Sequence, residues 1–130
     1  MIGIVIVAHG GLAREYLSAV EHVVGEQGGV RAISIEPDCD RPMKQQEKCG
    51  AADAVDTGDG VVVVTDMFGG SPSNLSLRAC APADRKIIYG ANLPLLIKLA
   101  KSRHLPVKDA VSSALTAGRK YIDSIDGVLS

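Results

Sequence analysis

Apolar residues fall along this chain in two alternating rhythms. Ile2–Ala8 is a continuous, β-branched apolar run, the pattern of a strand covered on both faces of a parallel sheet. Leu12–Val24 follows with apolar residues at helical spacing, and Gly25 and Gly28–Gly29 end it. Val30–Ile35 predicts a second strand, Pro37–Pro42 a polar loop, and Met43–Val55 a poorly amphipathic helix. Gly60–Thr65, with four consecutive Val, predicts a third strand. Ser71 and Pro72 are good N-cap and first-turn residues for a helix that stops near Pro82. Lys86–Tyr89 predicts a fourth strand, and Pro94 opens a helix to His104 that is apolar on most sides. Val107, Ala110, Val111, Ala114 and Leu115 continue at helical spacing after Pro106. Beyond that, Tyr121, Ile122 and Ile125 keep the helical period while Gly118 offers a stop, which leaves the tail open.

Strands separated by helices in the order βαβαβαβα imply right-handed crossovers. The fold class is therefore α/β, a doubly wound, mainly parallel sheet of order 2-1-3-4. At 130 residues, with no linker or low-complexity stretch, residues 1–130 form a single domain.

Composition narrows the function. A net charge of −1, from 14 basic and 15 acidic residues, supplies no electrostatic reason to bind nucleic acid or an anionic membrane. Three Tyr, one Phe and no Trp are too few for a base-stacking platform. The N-terminus has no basic region before its apolar run, and no apolar stretch approaches the ~20 residues of a membrane span. A cytoplasmic protein without direct membrane insertion is expected. Cys39, Cys49 and Cys80 are odd in number and spaced like neither a disulfide framework nor a zinc site. His22 reads as a helix flank, and His104 as a basic residue at a helix end. Neither has carboxylate or Cys neighbours at ligand spacing, so no metal and no cofactor is expected.

Two strand ends share one grammar. Gly3-Ile4-Val5-Ile6-Val7-Ala8-His9-Gly10-Gly11 and Gly60-Val61-Val62-Val63-Val64-Thr65-Asp66-Met67-Phe68-Gly69-Gly70 each run from Gly through four aliphatic residues and one small residue to an ionisable side chain. His9 and Asp66 are thus expected at equal depth, at the carboxyl ends of strands one and three. Sheet order 2-1-3-4 makes these strands neighbours at the switch point, where doubly wound folds bind ligands. At a strand spacing of ~4.8 Å the two side chains reach each other. The Gly pairs let backbone approach a ligand, and the helix begun at Ser71 aims its positive end at the same cleft. An Asp bonded to one imidazole nitrogen leaves the other as an unprotonated nucleophile, the arrangement for phosphoryl transfer through a phosphohistidine. The residues alone leave a second reading open, in which His9 is a satisfied strand-end histidine and Asp66 a cap. A dinucleotide site is weaker, because no G-x-G-x-x-G follows the first strand.

At these residues the chain resembles the enzyme IIA component of the mannose-family sugar phosphotransferase system. The matching pieces are Ile4–Gly10, Gly25-Glu26-Gln27, Asp66-Met67-Phe68-Gly69-Gly70-Ser71-Pro72-Ser73-Asn74 and Gly90-Ala91-Asn92-Leu93-Pro94. The resemblance implies a transferase in which His9 accepts a phosphoryl group from HPr and passes it to an enzyme IIB. Asp66 would orient His9, while Gly69, Gly70 and Ser71 would bind the phosphate. Asn92 would belong to the architecture of the same sheet edge. The resemblance also implies a homodimer with a C-terminal edge strand exchanged between subunits. Phe68 stands where many members have Trp, and Ser73 where many have a bulky apolar residue. With no Ala/Pro-rich linker or IIB domain before Ser130, a stand-alone IIA unit is expected, meeting its partners in trans. Two alternatives stand beside this: a regulatory phosphorelay module without a dedicated permease, and the phosphoryl-donor subunit of a dihydroxyacetone kinase, which shares the fold and the strand-end His, although the loop Asp66–Pro72 is closer to the sugar-transport type. A regulatory binding module of this kind would change partner affinity with the state of His9. A small-molecule α/β binding domain without transfer chemistry would form no phosphohistidine.

Overall fold

The computed structural model describes residues 1–38, 40–67 and 84–127. Its elements are β1 (Gly3–His9), α1 (Leu12–Val24), β2 (Val30–Ile35), α2 (Arg41–Val55), β3 (Val61–Thr65), β4 (Arg85–Tyr89), α3 (Leu93–Lys101) and α4 (Val107–Lys120). The expected helix from Ser71 to Pro82 lies outside the described residues, as does Cys80. All four strands are parallel, in the order β2-β1-β3-β4.

The unbroken apolar strands follow from burial on both faces. Ile4, Ile6, Ala8, Val62, Val64 and Ile88 pack with Ala13 and Val20 of α1, Leu95, Leu96 and Leu99 of α3, and Ala110 and Ala114 of α4. The alternate residues Val5, Val7, Ile33, Val61 and Val63 pack with Ala52 and Val55 of α2. Each Val or Ile so buried stabilises the fold by about 1.5–3 kcal/mol.

The strand bounds fall within a residue of the periodicity, and three helix ends differ by more. Helix α2 starts two residues before Met43, because Asp40 caps it, its Oδ1 accepting from the Met43 N–H at 3.1 Å. Pro42 fits inside because first-turn N–H groups need no helical partner. Helix α3 ends at Lys101 rather than His104. There the Arg103 carbonyl is taken by the Ile2 N–H at 2.9 Å, and its buried guanidinium donates through Nε to the Ile2 carbonyl at 2.7 Å. These bonds, with those from Arg103 to Gln27 and Gly29, tie down the amino ends of β1 and β2. Helix α4 continues through Gly118 to Lys120. Gly118 is a packing residue rather than a stop, since a Cβ there would lie 3.0 Å from the Leu95 Cβ. Past Lys120 the helical period of Ile122 and Ile125 is not used. Residues 121–127 are exposed and form neither helix nor strand within the single chain.

Candidate functional site

Helix α1 covers one face of the sheet and α2 the other, and the strand order reverses at β1, with β2 on one side of it and β3 on the other. The carboxyl ends of β1 and β3 therefore form the switch point, where doubly wound sheets bind ligands. The structure brings His9 and Asp66 together there. The His9 Nδ1 lies 2.9 Å from Asp66 Oδ2, and the same oxygen accepts the His9 backbone N–H at 3.0 Å.

The two residues do not stand at equal depth. Gly3 pairs with Val61 and Val7 with Thr65, so the register is offset by one residue from the rhyme in the sequence. Strict alternation would then send His9 to the α2 face, with Val5 and Val7, and Asp66 to the opposite face, with Val62 and Val64. The contact forms because β3 ends at Thr65, and Asp66 sits in a bend that turns its carboxylate across to β1. On the other side Gly10 turns the chain away with φ +57°, its N–H donating to the Ile35 carbonyl at 3.0 Å. Only glycine enters this left-handed region without strain.

The carboxylate is divided between two duties. Oδ2 serves His9, while Oδ1 accepts the Met67 N–H at 2.9 Å and the Thr65 hydroxyl at 3.4 Å. Partial burial raises the Asp66 carboxyl pKa. The bonds from the His9 backbone and ring, the attraction of the ring, and the Met67 N–H outweigh it, and the pKa lies below the ordinary 3.8. Asp66 is therefore an ionised acceptor at neutral pH, and Nδ1 must carry the proton in their bond. In the neutral ring that puts the lone pair on Nε2, which has no hydrogen-bond partner among the described residues. The burial is unequal: the Asp66 side chain is 11% exposed and that of His9 59%. A fixed, shielded carboxylate thus holds an outward-facing imidazole.

Gly69, Gly70 and Ser71 lie outside the described residues. Asn92 is at the expected sheet edge, where it caps α3: Oδ1 accepts the Leu95 N–H at 3.0 Å, and Nδ2 donates to the Gly118 carbonyl at 3.1 Å. Sequence reasoning passed over Thr65, which reads as one more β-branched strand residue. Its one signal is a hydroxyl ending a run of Val. His22 and His104 stay apart from the site. Among the described residues no three His, Cys, Asp or Glu side chains converge to hold a metal. Among them too, no helix is long and apolar enough to cross a membrane.

A four-stranded parallel sheet with a hydrogen-bonded His–Asp pair at its switch point defines a doubly wound α/β domain. The family model described as the PTS system fructose IIA component, the mannose-type EIIA, matches residues 3–116, and the chain belongs to that family. It is 28% identical over 127 residues to the mannose-specific EIIAB component of Escherichia coli K12, covering 95% of this chain and 39% of that relative. The chain thus spans about two fifths of the length of that curated relative. It is 31% identical over 104 residues to a putative phosphotransferase enzyme IIA component, YadI, of the same strain, covering 79% of this chain and 71% of the relative. Among solved structures, the PTS IIA protein associated with the fucose utilization operon of Streptococcus pneumoniae superposes with a TM-score of 0.77 at 28% identity. That match covers 93% of this chain and 91% of the other.

Proposed function

We propose that this chain is a phosphoryl carrier of a sugar phosphotransferase system, accepting a phosphoryl group from HPr on His9 Nε2 and passing it to an enzyme IIB. The observation that carries this reading is the 2.9 Å bond from Nδ1 to a shielded, ionised Asp66, which in the neutral ring puts the lone pair on Nε2 of a side chain more than half exposed.

The chemistry balances without a cofactor. The Nε2 lone pair attacks phosphorus and forms the new N–P bond as the donor's bond to phosphorus breaks, its electron pair leaving with the donor. The Nδ1 proton stays in the bond to Asp66, whose negative charge stabilises the imidazolium-like ring of the phosphohistidine. In the second transfer a IIB nucleophile attacks phosphorus and the Nε2 pair returns to the ring. Gly69, Gly70 and Ser71 bind the phosphoryl oxygens in this reading, by the motif they share with the family. Helix α1 helps, because it begins two residues after Gly10 and its N-cap, Gly11, offers its first turn no side-chain acceptor.

The exposed Leu12 and Met67 flank the histidine and suit brief apolar docking by protein partners. A homodimer belongs to the same reading. Ile122 and Ile125 in the tail are 72% and 86% exposed, and β4 is an edge of the described sheet to which a second copy's tail can add.

The test is incubation with enzyme I, HPr and labelled phosphoenolpyruvate. Wild type gains acid-labile label and His9→Ala gains none. Equal labelling of the two, or none on wild type, rejects the carrier.

A further inference from the structure

The last residue of β3 is a buried hydroxyl in an otherwise aliphatic strand. Thr65 is 0% exposed and lies in register between Val7 of β1 and Tyr89 of β4. Valine has nearly the same shape, and Val already fills the four preceding positions. Burying a hydroxyl instead carries a desolvation cost unless it is bonded. The backbone carbonyl of Thr65 already accepts the Ala91 N–H at 3.1 Å, which fixes the strand end. The Thr65 hydroxyl donates to Asp66 Oδ1, the carboxylate oxygen turned away from His9.

We propose that Thr65 is a positioning residue for phosphoryl transfer, its hydroxyl holding the Asp66 carboxylate in the rotation that presents Oδ2 to His9. This rests on the carrier role proposed for His9. Asp66 is one residue beyond the last ladder pair and sits in a bend, so the sheet itself does not set its side-chain torsion. The Met67 N–H restrains Oδ1 from its own loop, and the Thr65 hydroxyl restrains it from the rigid strand. At 3.4 Å the bond is long, as hydrogen bonds in unliganded sites commonly are. Without the hydroxyl, the carboxylate turns more freely, and His9 spends part of its time as the Nε2–H tautomer, which cannot attack.

The experiment compares Thr65→Val and Thr65→Ser with wild type by melting temperature, single-turnover labelling rate and the ¹⁵N shifts of the His9 ring. Thr65→Val keeps the shape and loses the hydroxyl. It is expected to melt at or above the wild-type temperature, label about three- to tenfold more slowly, and show a larger Nε2–H fraction. Thr65→Ser keeps the hydroxyl and loses a buried methyl. It is expected to melt lower yet label at close to the wild-type rate. Rates that follow melting temperature instead, or a Thr65→Val protein with wild-type rate and ring shifts, overturn the proposal. If wild type takes no label, the carrier reading fails. The ring shifts of the unphosphorylated proteins then still report whether Thr65 positions the pair.

Discussion

Replacing Asp66 by Asn probes what the carboxylate does, because the two side chains have the same shape. The carboxylate receives four donors: the His9 backbone N–H and ring Nδ1 on Oδ2, and the Met67 N–H and Thr65 hydroxyl on Oδ1. An amide has one accepting oxygen. With that oxygen toward His9, the NH₂ group opposes the Met67 N–H. With the NH₂ toward His9, it opposes the His9 N–H, and Nδ1 must become an acceptor, which moves the ring proton to Nε2. Either way the negative charge is gone when positive charge develops on the ring. At the 2.9 Å separation, Coulomb's law bounds that loss between about 1.4 kcal/mol in bulk water and about 6 kcal/mol at an effective dielectric of 20. His9 is more than half exposed while Asp66 is largely buried, so the effect lies inside these limits. A value of about 3 kcal/mol corresponds to roughly a hundredfold slower transfer. Because the charge appears only as the N–P bond forms, the loss falls on the transfer rate and not on HPr affinity. Rapid-quench labelling at saturating phosphorylated HPr measures it. A folded Asp66→Asn protein that labels within about threefold of wild type would falsify the electrostatic role, at less than ~0.7 kcal/mol.

The same carboxyl predicts a pH dependence of stability. Its folded pKa lies below the ordinary 3.8, so its contribution is full above that value and is lost as pH falls through the lower folded one. In urea titrations, the stability difference between wild type and Asp66→Asn should shrink as pH falls below about 4; a difference that grows over that range contradicts the assignment. Asn92→Ala removes the cap on Leu95 and the bond to the Gly118 carbonyl, costing about 1–2 kcal/mol and several degrees in Tm. Its labelling rate should stay within about threefold of wild type; a large rate loss at unchanged Tm would place Asn92 in the transfer itself.

Most of the scaffold was legible because its causes are local. Four Val in a row, covered on both faces, have no reading other than a buried strand. Helix α3 was marked by Pro94 in its first turn, and its middle is as buried as its composition requires. Two of the errors fell where a distant group intervened. Arg103 leaves the helix because its backbone and side chain bond Ile2, and Gly118 stays in one because α4 lies against Leu95. Neither partner is near in sequence, so no window of residues shows it.

The candidate pair divides along the same line. The order of apolar and polar residues determined that His9 and Asp66 end two parallel strands, and sheet order made those strands neighbours at the switch point. Tertiary structure alone decided that they touch. The register is one residue off the repeated motif, so the pleat by itself would turn the two side chains to opposite faces. The bend at Asp66, the positive φ at Gly10 and the donors around the carboxylate overcome that parity. Which imidazole nitrogen faces outward follows from a hydrogen bond between residues 57 positions apart, and its geometry exists only once the sheet has formed.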